Sequence, residues 1–243
     1  MSFVKALWLG RMPYLKGLAI QEKLFDVLNN NKNNAAFKNH YLCLFEHDPV
    51  YTVGLRDRLY SAEEEQRLLN LGADFVRIKR GGMITFHGPG QLVAYPLFDL
   101  KQLRLRQPQG RVLGVRVFVE SIEEIIIRLC SDVYDIPKVG RTNDTGVWVD
   151  SQRKIAAIGI QVRHGITSHG LALNCNTDLA WFDHITPCGI EGKEVTSLSK
   201  ERKEDISIEE ALSPFCEQVE TVFDCDVHLV DASIGDLDRV IEN

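Results

Sequence analysis

The residues best suited to covalent chemistry lie around Cys188, in the run Pro187-Cys188-Gly189. Proline fixes φ before the cysteine, and glycine leaves the space after it open. A free thiol has a pKa of about 8.5, so a nucleophilic cysteine needs a nearby cation, base or helix N-terminus to supply thiolate. Most single cysteines are inert core side chains, and the residues alone leave both interpretations open for Cys188.

A lysine is the candidate partner for such a thiol. Lys154 follows Asp150-Ser151-Gln152-Arg153, a run that predicts the turn of a hairpin between strands at 146–149 and 155–162. An exposed lysine at the start of a strand is the common case. A lysine that is partly desolvated and directed into a pocket instead stabilises a thiolate or, with a lowered pKa, acts as a base.

The stretch Arg80–Gln91 reads RGGMITFHGPGQ and carries four glycines, an arginine and a histidine. Glycine lets the backbone approach a ligand closely, so we expect a loop that presents N–H groups and one or two side chains to something bound. His87 in this stretch and His169 both precede a glycine. Each is either a structural hydrogen-bonding residue or the base of a Cys/His pair.

Composition and spacing exclude several classes of function. The net charge of −6 argues against nucleic acid as a partner, and no apolar run is long enough for membrane insertion. The six cysteines show no CxxC pair or zinc spacing, which is typical of reduced thiols, and we expect all but Cys188 to be buried. Metal motifs and the nucleotide fingerprints GxGxxG and GxxxxGK[ST] are absent from the sequence.

Hydrophobic periodicity predicts a single α+β domain over residues 1–243, with a mixed β-sheet core and flanking helices. Strands are expected at Leu7–Leu9, Tyr41–Phe45, Val50–Val53, Asp74–Ile78, Leu92–Pro96, Gly146–Val149, Lys154–Val162 and Leu171–Asn174. Helices are expected at Tyr14–Leu28, Ala62–Leu71, Arg111–Leu129 and Ile208–Phe223, the last opening with the capping box Ser207-Ile208-Glu209-Glu210. Because Val4–Leu9 reads as a core strand, little room is left for a removable leader.

One basic stretch stands out in this acidic chain. The run 101–116 holds five lysines and arginines and no acid. It is either a solvated loop with a first helical turn or a docking patch for an acidic partner. The basic residues are Lys101, Arg104, Arg106, Arg111 and Arg116.

An ordered set of motifs resembles the lipoyl(octanoyl) transferase family along nearly the whole chain. The motifs are Arg80–Gln91, Gly146–Trp148, Lys154–Gly159, Ser168–Asn174 and Phe182–Gly189. The sequences of the segments Ile166–His169 and Leu173–Cys175 are most similar to those of the animal, mitochondrial branch. The resemblance therefore implies the mitochondrial matrix, or the cytoplasm if the chain is bacterial.

The resemblance implies the α+β fold of lipoate–protein and biotin–protein ligases and a transfer of octanoyl groups without ATP or any other cofactor or metal. The donor would be acyl carrier protein, and the acceptors a lysine of lipoyl domains in glycine-cleavage H protein and 2-oxo-acid dehydrogenase E2 subunits. Cys188 falls on the family's thioester cysteine and Lys154 on its acid/base lysine, with His169 and Gln91 as possible supporting residues. The positions that fall on the substrate-binding segments are Arg80, Gly81, Gly82, Met83, Ile84, Thr85, Phe86, His87, Ala157, Ile158, Gly159, Gly170, Leu171 and Ala172.

Three other functions stay open on the residues. An ATP-dependent lipoate–protein ligase shares the fold but needs no nucleophilic cysteine, so Pro187-Cys188-Gly189 counts against it. A Cys/His hydrolase would use Cys188 with His87 or His169 and pass its acyl group to water. A silent acyl-binding module would use neither Cys188 nor Lys154 chemically.

Overall fold

The computed structural model describes residues 2–34, 37, 39–56, 60–105, 113–186 and 192–232. Within these residues the strands are β1 Ser2–Met12, β2 Asn39–His47, β3 Val50–Val53, β4 Asp74–Arg77, β5 Ile84–His87, β6 Gln91–Leu97, β7 Val139–Gly140, β8 Val147–Val149, β9 Arg153–Arg163, β10 Ile166–Asn174, β11 Glu194–Val195 and β12 Cys225–Asp231. The α-helices are α1 Tyr14–Asn31, α2 Ala62–Leu69, α3 Val115–Arg128, α4 Leu198–Arg202 and α5 Ile208–Phe223.

Nine of the described strands form one mixed sheet, in the order β12-β1-β2-β6-β10-β9-β8-β7 with β11 also paired to β9. β1 runs parallel to both β2 and β12, and β11 runs parallel to β9, whereas the pairs β2–β6, β6–β10, β10–β9, β9–β8 and β8–β7 are antiparallel. A smaller sheet has the order β4-β3-β5. The predicted α+β class with a mixed sheet and flanking helices is confirmed.

Helices cover both faces of the large sheet. On one face α3 and α5 pack through a stripe that includes Ile122, Ile125 and Phe215. On the other face α1 packs through Leu24 and Phe25. The central strands β6 and β10 are buried at every position, as expected for strands covered on both sides.

Local signals placed the helices well. Ser207 and Glu210 form the reciprocal capping box at the start of α5. The helix expected at 111–129 is α3, described from Val115 to Arg128, and residues 106–112 lie outside the described part.

The structure departs from the sequence prediction at one important place. The stretch Arg80–Gln91 was expected to be a loop, but Ile84–His87 is the strand β5, paired antiparallel with β3. Isoleucine, threonine and phenylalanine favour strands, and this preference prevails between the two pairs of glycines.

Candidate active site

An inner pocket opens where the small sheet meets the large one. Its wall brings together the N-terminus of α1, the glycine-rich stretch, β6 and the middles of β9 and β10. The lining residues are Tyr14, Arg80, Gly82, Thr85, His87, Tyr95, Ala157, Ile158, Gly159, His169, Gly170, Leu171 and Ala172. Most of the substrate-binding positions implied by the resemblance therefore meet in one cavity.

The alternation of β5 divides its four side chains between two sides. Thr85 and His87 face the inner pocket. Ile84 and Phe86 belong instead to the core of the small sheet, where the Phe86 ring stacks on Trp181 at 5.0 Å. Successive side chains of a strand point to opposite faces, so a segment that supplies binding residues as a strand supplies only every second one.

Arg80 clamps the glycine-rich stretch rather than reaching into solvent. Its Nη1 donates to the carbonyl oxygens of Gly81 and Met83, at 2.9 and 3.1 Å. Its Nη2 donates to the carbonyl and hydroxyl oxygens of Thr52, at 2.9 and 2.8 Å. With the side chain buried, these bonds fix the loop against β3 and leave a positive charge beside the pocket.

His87 is a buried, neutral imidazole with both ring nitrogens engaged. Nδ1 lies 2.7 Å from Gln91 Oε1, an acceptor, so Nδ1 carries the proton. Nε2 then accepts from the hydroxyl of Thr52 at 3.2 Å. Burial, together with the nearby charge of Arg80 and the neighbouring His47 and His169, lowers the pKa of His87 to about 3. This arrangement suits a fixed hydrogen-bonding residue and makes a poor general base.

His169 reaches the same pocket through an unusual backbone. Its φ of +56° is a left-handed conformation, and its N–H donates to Gln21 Oε1 at 2.6 Å. The ring packs edge-on against Tyr95, and burial with the nearby Arg80 and Arg163 lowers its pKa to about 4. Its buried Nδ1 has no hydrogen-bond partner among the described residues.

A second, more open cavity adjoins the inner pocket, and we call it the outer cavity. The two share Gly82, Ile158 and Gly159. Lys154 lines the outer cavity and therefore stands next to the entrance of the inner one. The remaining lining residues of the outer cavity are Arg56, Gly81, Met83, Val119, Asn143, Asp144, Thr145 and Ile160.

Lys154 is buried, with 5% of its surface exposed, and not a solvated residue of a hairpin. It is the second residue of β9 and pairs with Trp148 in the antiparallel hairpin of β8 and β9, so the expected hairpin is present. Its Nζ donates to the carbonyl oxygen of Thr145 at 3.3 Å and lies 4.6 Å from the centre of the Trp148 ring. The fold therefore holds an amino group in a defined position beside the cavity.

Glycines keep these walls thin. A Cβ on Gly159 would lie 2.8 Å from the carbonyl oxygen of Gly81, and one on Gly170 would lie 2.1 Å from that of Ala94. Both contacts are closer than real Cβ atoms make and involve backbone. Any larger residue at either position forces strands or loop apart at the pocket.

A chain of hydrogen bonds joins the two cavities through the core. From His87, the chain passes to Gln91, whose Nε2 donates to Asn174 Oδ1 at 2.9 Å. Asn174 Nδ2 donates to the carbonyl of Thr196 at 2.9 Å, and the N–H of Thr196 donates to the carbonyl of Lys154 at 2.9 Å. The inner pocket and the lysine are thereby held in one rigid network.

Comparison with known proteins supplies the family. Residues 13–220 match the lipoyl protein ligase A/B catalytic domain. A Drosophila melanogaster protein named as a putative mitochondrial lipoyltransferase 2 is 48% identical over 89% of this chain and 88% of its own. The mitochondrial octanoyl-[acyl-carrier-protein]:protein N-octanoyltransferases of Danio rerio and Homo sapiens are 47% and 42% identical, over 91% of this chain and 93% and 94% of theirs. The chain belongs to this octanoyltransferase family.

Solved structures agree on the fold. A putative lipoate protein ligase from T. acidophilum with bound lipoic acid superposes with a TM-score of 0.68 at 15% identity, covering 100% of this chain and 94% of that one. Lipoate-protein ligase A bound with ATP gives the same score and identity, over 100% and 95%. The octanoyltransferase thus has the ligase fold, as the sequence motifs implied.

Five of the six cysteines of the octanoyltransferase lie in the described part, and all five are buried. Burial raises the pKa of Cys43 and Cys130 well above the usual range, and that of Cys175 and Cys216 to about 12. These thiols are protonated at neutral pH. The sixth, Cys188, lies outside the described residues, so its role stays a prediction.

Sequence reasoning missed several residues of the site. Tyr14 and Tyr95 line the inner pocket, and Thr52 joins Arg80 to His87. Tyr14 follows Pro13 at the start of α1, which was a visible signal, whereas Tyr95 reads as an ordinary strand residue. The described residues hold no group of three metal-ligating side chains, and none of their helices is long and apolar enough to cross a membrane.

Proposed function

We propose that the protein transfers an octanoyl group from octanoyl–acyl carrier protein to Cys188 and then to a lysine of a lipoyl domain, without ATP. The observation that carries the proposal is the glycine-walled inner pocket opening beside the buried Lys154. Homologues named for this donor and this reaction support it. For the acceptor alone, support comes from a solved archaeal lipoylation system of the same fold, described as a bi-partite lipoate protein ligase and its E2 lipoyl domain.

In the first step the Cys188 thiolate attacks the carbonyl carbon of the donor thioester. The tetrahedral intermediate expels the carrier thiolate, which takes a proton from the Lys154 ammonium, and a new thioester joins the octanoyl group to Cys188. One thioester replaces another, so the step is nearly isoenergetic and needs no activation. Backbone N–H groups of the glycine-rich stretch are candidates for stabilising the oxyanion.

In the second step Lys154, now a neutral amine, removes a proton from the acceptor lysine. The freed amine attacks the Cys188 thioester, the C–S bond breaks, and an amide forms. The attacking nitrogen releases its second proton to water as the amide forms, so the Cys188 thiolate and the Lys154 ammonium are restored and each cycle releases one proton to solvent. The same residue serves as acid and then as base because it gives up one proton in the first step and takes one back in the second.

The inner pocket supplies the selection of the acyl group. Burial of each CH₂ is worth about 0.8 kcal/mol, so an eight-carbon chain gains several kcal/mol. Tyr14, Tyr95 and His169 contribute the aromatic part of the pocket wall. A chain that is too long meets close-packed aromatic side chains and strand backbone rather than empty space.

The decisive experiment is intact mass spectrometry after mixing the protein with octanoyl–acyl carrier protein, with no acceptor and no ATP. We expect one octanoyl adduct that hydroxylamine removes, absent from Cys188→Ala and present in the matched variant Cys216→Ala. No adduct, with acceptor labelling that requires octanoate or lipoate plus ATP, would establish a ligase instead. An adduct that hydrolyses at the same rate with and without lipoyl domain would establish a hydrolase.

A further inference from the structure

The outer cavity has a feature that acyl transfer alone does not use. Arg56 lines it, and the side chain is exposed at its mouth. No hydrogen bond or ion pair joins Arg56 to another described residue. Among the described lining residues the cations are Arg56 and the buried Lys154, and the acid is Asp144.

The backbone around Arg56 is anchored on the glycine-rich stretch. The N–H of Leu55 donates to the carbonyl of Arg80 at 3.0 Å. A Cβ on Gly54 would lie 2.5 Å from the carbonyl oxygen of Gly82, which shows how closely the end of β3 approaches this stretch. The backbone at Arg56 is therefore held in place at the rim of the outer cavity, next to the wall that the two cavities share.

The continuity of the two cavities orients a donor. With its acyl chain in the inner pocket, the thioester lies at the shared residues Gly82 and Gly159, beside Lys154. The rest of the donor must then leave through the outer cavity. A phosphopantetheine arm is neutral and polar along most of its length and ends in an anionic phosphate at the carrier.

We infer that Arg56 binds the phosphate of the donor's phosphopantetheine arm at the mouth of the outer cavity. This inference rests on the proposed function, because that function supplies the donor. A guanidinium presents a planar fork of N–H donors that matches phosphate oxygens, and charge-assisted bonds of this kind are strong. The contact would select a donor whose arm carries this phosphate, on the carrier protein or as free phosphopantetheine, over a thioester without a phosphate.

The test compares two small donors, octanoyl-phosphopantetheine and octanoyl-pantetheine, in the acylation of the protein. Neither requires docking of a carrier protein. We expect Arg56→Gln to lower kcat/KM roughly tenfold for the phosphorylated donor and to leave the other donor within about twofold. Arg56→Lys should retain part of the preference. The control Arg11→Gln removes an exposed arginine, paired with Asp48, that does not line the cavity, and it should change neither value.

A second readout does not depend on turnover. Titration calorimetry of Cys188→Ala protein with phosphopantetheine and with pantetheine should show a preference for the phosphorylated ligand that Arg56→Gln removes. Equal losses for both ligands, or no loss for either, would overturn the role of Arg56. Acylation by both donors without transfer to a lipoyl domain would instead contradict the proposed function. The preference for the phosphorylated donor, and its loss in Arg56→Gln, would still be measurable in that case.

Discussion

The ammonium of Lys154 lies over the indole ring of Trp148, 4.6 Å from its centre, and donates to the carbonyl oxygen of Thr145. The indole N–H in turn donates to the carbonyl of Asp144 at 3.0 Å. A cation over an aromatic face is stabilised electrostatically, by about 0.5 to 2 kcal/mol depending on exposure. These two contacts hold the amino group of Lys154 in a fixed position in a site that is largely removed from water.

We predict that Lys154→Met slows octanoyl transfer by about 10² to 10⁴-fold, because the general acid and base of both steps is lost. Alkylation of Cys188 by iodoacetamide, followed against pH, should also shift toward the pH dependence of an ordinary thiol. The control Lys138→Met removes an exposed lysine that is paired with Asp150. Unchanged transfer and an unchanged alkylation profile in Lys154→Met would rule out the proposed role.

Gly159→Ala should damage the site through space alone. The added Cβ would lie 2.8 Å from the carbonyl of Gly81 and 3.0 Å from Cδ of Arg80, so the glycine-rich stretch must move away from β9. We expect a loss of about 1 to 3 kcal/mol in the free energy of unfolding and slower acylation by octanoyl–acyl carrier protein. Gly140→Ala is the matched control, since nothing lies within 4 Å of its Cβ. Equal behaviour of the two variants in urea unfolding and acylation would contradict the close-packed wall.

The basic stretch 101–116 gives a prediction about docking. Arg104 is exposed and its side chain bonds to the carbonyls of Lys101 and Leu103, while Arg106 lies outside the described residues. Acyl carrier proteins are acidic, so Arg104→Glu with Arg106→Glu should raise the KM for octanoyl–acyl carrier protein at low salt. The effect should fade as salt screens the charges. An unchanged KM at low salt, or an equal rise for octanoyl-pantetheine, would remove the docking hypothesis.

Acid should destabilise the protein through its buried histidines. Burial lowers the pKa of His40, His47 and His169 to about 4 and that of His87 to about 3. Unfolding raises each toward about 6.5, so the unfolded state binds more protons below that pH, and stability falls as the pH drops from about 6.5 toward 4.

Each histidine contributes up to about 2 kcal/mol of this loss between pH 7 and 5, measured by urea unfolding. His40→Gln should lessen the pH dependence because it removes one of these titrations. His164→Gln, at an exposed position, should leave it unchanged. If His40→Gln and the parent lose the same free energy over this range, burial of a neutral imidazole at His40 is not the cause.

Local sequence patterns predicted much of the fold because they report local physics. The apolar stripe of Ile122, Ile125 and Ile126 marked α3, and Ser207 with Glu210 marked the start of α5. The strand β12 was not predicted, because it is stabilised by parallel pairing with β1 at the other end of the chain. A pairing over such a separation leaves no periodic signal in its own residues.

The same distinction between local signals and long-range pairing applies to the site. Lys154 and the glycines could be singled out because a hairpin turn and a glycine-rich run are local sequence signals. The place of Tyr95 depends on which strand pairs with β6, and the aim of His169 depends on its left-handed backbone. Neither property can be read from the identity of the residue. The burial of Lys154, which the residues left open, became clear only when Trp148 and Thr145 were placed around it.

The shared wall at Gly82, Ile158 and Gly159 has a kinetic consequence. If donor and acceptor both reach Lys154 through the outer cavity, the two carriers occupy one entrance in turn. The spent carrier must depart before the acceptor protein arrives. Plots of reciprocal rate against reciprocal acceptor concentration, at several donor concentrations, should therefore be parallel, as in a ping-pong scheme. A free carrier thiol should then compete with the acceptor for the Cys188 thioester and, by reverse transfer, take the octanoyl group back onto the carrier.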